Sequence, residues 1–255
     1  MEFLERTAVT ELDPWFQEHI ARYHKLLEYK LGSYVLDIAC GSGYGTKFIS
    51  ESGSKVLGVD QSSSTIMDNI RKFSNNSNLA FQSGDAEKLT FAQNSFSSVV
   101  SFETIEHLTN PEEFLKGVRD ILQSDGLFFV STPNALITKP INGIPSNPYH
   151  VKEYTPDELL LLLSSFFRVL EVYGQIVSKD FKVNYYWNPE PFRRFKPKYY
   201  LWAMLNRISR YAPITAHRIS KRIFKSSLYP EAEQWVFSDT DLSSAHDLFV
   251  VCQKI

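Results

Sequence analysis

Cysteine is scarce: the chain of 255 residues has two, Cys40 and Cys252. That excludes a disulfide framework and points to a reducing compartment. No apolar run approaches the roughly 18 residues of a membrane-spanning helix; Leu159 to Leu163 is five long. The opening Met1-Glu2-Phe3-Leu4-Glu5-Arg6 alternates charge with apolar residues and lacks the long apolar stretch of a secretion signal. A soluble, cytoplasmic protein is therefore expected. Net charge is also small, at a formal −2, and argues against a generic nucleic-acid binder. With 43% hydrophobic and 22% charged residues, 11 Gly and 12 Pro, the chain is neither disordered nor collagen-like. Its length suits one large α/β domain or two small ones.

The small net charge hides a division. Between Lys179 and Lys225 twelve Lys/Arg face only Asp180 and Glu190, a local +10, which leaves −12 on the remainder. Outside that segment, short apolar runs alternate with helical patterns, as in βαβ units around a parallel sheet. Seven strands are expected: Tyr34–Ala39, Lys55–Val59, Leu79–Gln82, Ser97–Phe102, Leu127–Ser131, Arg168–Tyr173 and Asp247–Gln253. Asn110-Pro111-Glu112-Glu113 and Thr155-Pro156-Asp157-Glu158 each set a capping residue before Pro and acidic residues, two helix starts. Leu115, Val118, Ile121 and Leu122 share a face of the first, which should end at Ser124-Asp125-Gly126. The chain thus divides into an N-terminal helical cap (1–30), a core (31–175 plus 242–255) and a basic, aromatic insert (176–241) before the last strand.

The chemistry-bearing motif is Val35-Leu36-Asp37-Ile38-Ala39-Cys40-Gly41-Ser42-Gly43-Tyr44-Gly45-Thr46, a buried strand entering a Gly-rich turn and then a helix. Gly41 and Gly43 let the backbone approach a ligand at the strand's carboxyl end. Asp60 ends the second strand, where a carboxylate can accept both ribose hydroxyl hydrogens. Nicotinamide and S-adenosylmethionine both remain candidates on that pattern. Thr46 occupies the place of the third fingerprint glycine. Asp37 would repel a pyrophosphate and favour a cationic ligand.

Four landmarks in order carry a resemblance. They are the Val35–Gly43 run, Gly58-Val59-Asp60, Ser83-Gly84-Asp85-Ala86-Glu87-Lys88-Leu89, and Phe96 through Leu108, followed by Leu122-Gln123-Ser124-Asp125-Gly126. Together they resemble class I S-adenosylmethionine-dependent methyltransferases over roughly residues 15 to 175 plus the final strand. The resemblance implies a Rossmann-like seven-stranded α/β sheet with helices on both faces, and S-adenosyl-L-methionine as cofactor. Gly41 and Gly43 would line the amino-acid end of that cofactor and Asp60, with Gln61 after it, the ribose. Asp85 and the Ala86 amide would read the adenine, Phe102 and Glu103 would face the cofactor, and Asp37 would favour its cationic end. Ser97 replaces the usual Asp and Ser124-Asp125-Gly126 the usual Pro-Gly-Gly turn.

Methyl transfer needs alignment, and a base where the acceptor is a hydroxyl. His107 is the first candidate and His150 the second, with Glu103 and Glu106 nearby; each His has an alternative part in fixing its own turn. Neither a metal-ligating spacing nor an Asn-Pro-Pro-Tyr motif is present, so a metal-dependent catechol-type mechanism and amino methylation are disfavoured and no metal is expected. Phe102–Leu108, Ser131-Thr132-Pro133-Asn134 and His150–Leu159 are similar to bacterial surface-polysaccharide and O-antigen methyltransferases. This implies a sugar hydroxyl, on a glycan or activated sugar, as acceptor. The fourth-strand segment alone also resembles quinone-biosynthesis O-methyltransferases, which leaves a phenolic or prenylated small molecule as the alternative. The alternative of another class is a non-catalytic S-adenosylmethionine-binding or membrane-associated interaction module; a binding module or pseudoenzyme that only kept the fold would have no need of intact Gly41, Gly43, Asp60 and Asp85. Arg218, Lys221, Arg222 and Lys225 form a basic helical stripe below the apolar Leu201, Leu205 and Ile208. It suits a solvated lid, an anionic acceptor such as a phosphate-bearing one, or the periphery of an anionic membrane with Tyr199, Tyr200 and Trp202 at the interface. No nucleic-acid partner is expected.

Overall fold

The structure is a computed structural model that describes residues 14–178, 181 and 197–255. Expectations for 1–13 and for most of the segment before 197, including Lys179, Lys182, Arg193, Arg194 and Lys196, lie outside the described residues.

Helix α1 (Pro14–Leu26) leads into strand β1 (Tyr34–Ile38), then α2 (Tyr44–Ser50), β2 (Lys55–Asp60), α3 (Ser63–Lys72) and β3 (Leu79–Ser83). Strand β4 (Phe96–Phe102), a 3-10 turn at Ile105–His107, α4 (Pro111–Ile121) and β5 (Leu122–Pro133) follow. Beyond a short α5 (Ala135–Thr138) come α6 (Pro156–Ser164), β6 (Phe167–Val177), α7 (Pro197–Ser209), α8 (Pro213–Phe224), β7 (Trp235–Ser238) and β8 (Asp247–Lys254). The sheet runs β3-β2-β1-β4-β5-β8-β6-β7. Neighbours from β3 to β5 are parallel, and β8 runs antiparallel to β5 and β6. Strand order reverses between β1 and β4, so the connections that leave their carboxyl ends run in opposite directions and leave a crevice there.

The sheet has eight strands rather than the expected seven. The additional β7 is four residues long with Val236 exposed, too short for an alternating pattern to register. Side chains sort between the faces with period two. Leu36, Ile38, Val99, Phe128, Val130, Leu248 and Val250 pack with Phe114, Leu115 and Val118 of α4 and Leu159 and Leu163 of α6. Val35, Val100, Phe129, Phe249 and Val251 pack on the other face with Tyr23 and Leu26 of α1 and Ile49 of α2. Burial on both faces is why these strands read as nearly unbroken apolar runs.

The Thr155 start forms a capping box: Thr155 Oγ1 accepts from Glu158 N (3.3 Å) and Glu158 Oε2 accepts from Thr155 N (2.9 Å). At α4 the outcome differs. Asn110 makes no side-chain cap; its amide donates to Thr109 Oγ1, while Glu87 accepts from Asn110 N and Thr109 Oγ1. A carboxylate brought from the β3–β4 connection supplies the negative end that the helix start favours. Helix α4 ends at Ile121, earlier than expected, because Leu122 is already extended and begins β5; the left-handed residue of the turn is Asp125 (φ 60°).

The described chain divides into two compact units. One comprises Tyr23–Ile176 and Phe237–Ile255; the other comprises 14–22 and Val177–Val236. In the second unit Trp202 and Leu205 of α7, Ala216 of α8, Leu228 and Tyr229 form a separate apolar cluster, flanked by Leu201 and Ile208. Trp202 is 5% exposed and donates from Nε1 to Leu228 O (3.1 Å), so it is withheld from any bilayer interface. Arg218, Lys221, Arg222 and Lys225 are all exposed, with Lys225 just past the end of α8. Among the described residues no helix is long and apolar enough to cross a membrane.

Candidate functional site

Past Ile38 the chain leaves β1 through Ala39 (φ 60°), a left-handed alanine. Such strain persists only where surrounding structure holds it, commonly at functional sites. Gly41 follows at φ 51°, and a Cβ there would project into open space. At Gly43 (φ 73°) a Cβ would stand 2.9 Å from Phe81 and 3.0 Å from Phe73, so that glycine serves packing beneath the turn. Gly45, which falls outside the dinucleotide fingerprint, is required as well, since a Cβ would overlap the Tyr23 hydroxyl.

Asp60 organises this turn. Its Oδ2 accepts from Gly41 N (2.9 Å) and its Oδ1 from Ser62 N (2.9 Å), and Asn69 Nδ2 donates to Gly41 O (2.7 Å). Each carboxylate oxygen retains acceptor capacity for a further donor. Asp37 lies 1% exposed under the turn and accepts from Thr46 Oγ1 (2.7 Å). Burial, reinforced by the Asp60 charge and opposed by the Thr46 hydrogen bond, pushes its carboxyl up to about 7. Gly84 N donates to Asp60 O (3.1 Å), joining the ends of β2 and β3. Beyond it Asp85 is exposed, with Oδ1 accepting from Glu87 N (3.0 Å), and Ala86 packs partly against the core. Gln61 is exposed at the end of β2. The Phe102 ring lies between Tyr23 and Phe249, at centroid distances of 5.1 and 5.6 Å, within the apolar cluster on the α2 face.

A second set of polar groups follows β4. Glu103 is left-handed (φ 51°); its N–H donates to Ser131 O (3.1 Å) and its Oε1 accepts from Ser131 Oγ (2.8 Å). Glu106 is fully buried, its Oε2 accepting from Thr132 Oγ1 (2.8 Å) while Oε1 has no hydrogen-bond partner. Burial and the nearby Glu103 charge hold its carboxyl well above the usual range. The main-chain oxygen of Glu106 accepts from Val151 N (2.7 Å) and Lys152 N (3.1 Å), tying the loop after β5 to this point.

That loop brings the two candidate histidines together, their ring centroids 4.8 Å apart and nearly perpendicular. His107 Nδ1 stands 2.9 Å from Tyr149 O. A carbonyl only accepts, so in the neutral ring Nδ1 carries the proton and Nε2 the lone pair. Nε2 lies 3.9 Å from Glu106 Oε1. His150 Nδ1 meets Glu153 Oε1 at 2.7 Å, and its Nε2 meets Asn147 Nδ2 at 2.9 Å. Asn147 Oδ1 accepts from Tyr149 N (3.1 Å), which fixes the amide so that its N–H side faces His150. Glu153 is itself buried and accepts from Thr138 Oγ1.

Thr132, Asn147 and Glu153 are the participants that sequence reasoning missed. Thr132 and Glu153 lie in motifs that carry only a resemblance, Ser131–Asn134 and His150–Leu159, and Asn147 lies just before the second with no signal of its own.

Residues 36–130 match the family model described as the methyltransferase domain. This stretch is therefore similar to methyltransferase domains. A protein of Mycolicibacterium smegmatis described as a probable S-adenosylmethionine-dependent methyltransferase is 31% identical over 163 residues, covering 63% of this chain and 62% of that protein. The chain thus spans less than two thirds of that relative's length. A ubiquinone biosynthesis O-methyltransferase of Dinoroseobacter shibae is 25% identical over 177 residues, 60% of this chain and 71% of that protein. Among solved structures, an S-adenosylmethionine-dependent methyltransferase of Mesorhizobium loti superposes with TM-score 0.55 at 18% identity, over 91% of this chain and 97% of that one. At that identity the likeness shows the Rossmann-like fold.

Proposed function

We propose that the chain is an S-adenosylmethionine-dependent O-methyltransferase whose cofactor lies over the β1–α2 turn. The observation that carries this reading is the Gly41–Asp60 pairing: a glycine that faces open space, its amide braced by a carboxylate with acceptor capacity to spare. The residues fit the cofactor. Asp37 is a buried carboxylate that a cation would stabilise in its ionised form, Asp60 would accept from the ribose hydroxyls, and Asp85 with the Ala86 amide would read the adenine. Gln61 stands beside the ribose end, Gly43 shapes the turn from beneath, and Phe102 supports the floor.

When bound, S-adenosylmethionine supplies a methyl group on a sulfonium, an electrophile that needs only in-line approach. The protein's remaining task is to orient the acceptor and remove its hydroxyl proton. In the metal-free protein His107 Nε2 takes that proton, because the Tyr149 carbonyl fixes the tautomer that leaves Nε2 its lone pair. Glu103 buttresses the same strand end through Ser131. His150, hydrogen-bonded at both ring nitrogens, shapes the loop.

The acceptor is a hydroxyl of a glycan or activated sugar, and the exposed stripe of Arg218, Lys221 and Arg222 suits a phosphate on it. A second reading, a phenolic or prenylated ring, is favoured by the D. shibae relative and by the loop after β5, where Ile141 and Ile144 are 77% and 71% exposed. In either reading the work is done in the cytoplasm. Mass spectrometry after incubation with S-adenosylmethionine and a panel of free sugars, nucleotide-sugars, glycans and quinone precursors tests this. A product heavier by one methylene on a sugar carrier supports the first reading and one on a phenol the second; no methylated product from any class overturns both.

The raised Asp37 carboxyl gives a further expectation. Its ionised form predominates above about 7, so affinity for a cationic cofactor should rise with pH through neutrality, by up to about tenfold per unit below that point. Without ligand the sign reverses. Between the unfolded value of 3.8 and about 7 the folded state holds the extra proton, so stability falls as pH rises through that window. Calorimetry of the wild type and Asp37→Asn between pH 6 and 8 separates this effect from titration of the cofactor's own amino group. Identical pH profiles in the two proteins would remove Asp37 from the site.

A further inference from the structure

Spacing in the sequence shows no metal site, yet folding gathers one set of donors. Glu106, His107 and His150 each offer a ligand atom, and these atoms lie within 4.8 Å of one another. We propose that these three residues bind one divalent cation of the zinc class, leaving a coordination position open at the end of β4.

Three independent features point the same way. First, Glu106 Oε1 is buried without a hydrogen-bond partner and faces His107 Nε2 at 3.9 Å. A buried carboxylate oxygen left unsatisfied calls for a cation or proton donor that protein atoms do not provide. Second, both rings are held by Nδ1. His107 is fixed by Tyr149 O and His150 by the buried Glu153 carboxylate, so Nε2 bears the lone pair in each. Anchoring a histidine's far nitrogen on a carbonyl or carboxylate is how metal-binding proteins orient imidazole ligands. Third, two imidazoles and one carboxylate make a donor set suited to zinc and its neighbours rather than to magnesium or calcium, and three protein ligands leave the fourth position open.

The distances require modest closure. Zinc with ligands at about 2.0–2.2 Å keeps donor atoms roughly 3.3–3.5 Å apart, so the side chains must draw together by about an ångström. Asn147 Nδ2, now against His150 Nε2, is the group the cation displaces.

Binding stands on this geometry alone. Its bearing on catalysis rests on the O-methyltransferase reading and alters the part His107 plays. With a cation bound, Nε2 is a ligand rather than a proton acceptor, and a hydroxyl in the open position is acidified by the metal.

The test uses the full chain stripped of metal by a chelator, titrated with Zn2+ by calorimetry and with Co2+ by visible absorption. One equivalent should bind, with the absorption of low-coordinate Co2+. Glu106→Gln and His150→Ala should each weaken Zn2+ binding at least 100-fold, and Asn147→Ala should bind at least as tightly as wild type. Should Glu106→Gln fail to fold, His150→Ala in the loop decides. No stoichiometric Zn2+ binding, or unchanged affinity in His150→Ala, overturns the site. The same metal-free protein is then titrated with S-adenosylmethionine. Cofactor binding without Zn2+ binding rejects the cation site and leaves the methyltransferase reading standing; Zn2+ binding without cofactor binding does the reverse.

Discussion

Replacing His107 with Ala is expected to lower kcat by about 10²–10⁴-fold, the usual worth of a positioned general base, while affinity for S-adenosylmethionine stays nearly unchanged. The separation follows from geometry. His107 belongs to the 3-10 turn after β4 and is held by Tyr149 O, whereas the β1–α2 turn is braced by Asp60 and Asn69. His150→Ala acts differently, since it strips a partner from buried Glu153 and slackens the loop, so KM should rise along with any loss in kcat. The size of the His107 effect also reports on the acceptor. A sugar hydroxyl must lose its proton as it attacks, which gives the full loss at every pH. A phenol ionises near pH 10, so His107→Ala would recover turnover as pH rises. Chelation divides the two parts open to His107: if it is the base, metal-free wild type keeps its turnover; if it is a ligand, chelation reproduces the variant's loss. Turnover unaffected by the substitution in both metal-loaded and metal-free protein would remove His107 from the chemistry.

Much of the frame was legible because each strand buried on both faces is a run of apolar and β-branched residues. Val35-Leu36, Val99-Val100 and Leu248-Phe249-Val250-Val251 need no partner to be recognised. Local caps are legible for the same reason when the cap is local: Thr155 and Glu158 satisfy each other within one turn. Asn110 misleads because Glu87, distant in sequence, reaches the α4 start first. Strand β7 escapes notice because four residues at the edge of the sheet carry no period. At the site, the types and spacing of Gly41 and Asp60 were visible, but that the carboxylate braces the turn's own amides was not. Least visible was the grouping of Glu106 with His107 and His150. It depends on the loop after β5 folding back onto the Glu106 main chain, a tertiary contact with no local signature.

Asp60→Ala is expected to weaken S-adenosylmethionine binding by some hundreds-fold. Hydrogen bonds to a charged group contribute about 1.5–3 kcal/mol each, and losing two ribose contacts therefore costs roughly 3–4 kcal/mol or more, with 1.4 kcal/mol per factor of ten. Part of any measured loss comes from the turn itself, because the substitution also releases the Gly41 and Ser62 amides. Gly41→Ala separates the two contributions. Its Cβ meets no atom of the described residues within 4 Å, so the ligand-free fold should suffer chiefly the left-handed strain of a non-glycine residue, about 1–2 kcal/mol. The same methyl projects into the space assigned to the cofactor and should weaken binding well beyond that. Urea unfolding of the ligand-free variants gives the structural share and calorimetry the total. An Asp60→Ala protein that binds S-adenosylmethionine as tightly as wild type, or a Gly41→Ala protein whose binding loss is no larger than its loss of stability, would move the cofactor away from the β1–α2 turn.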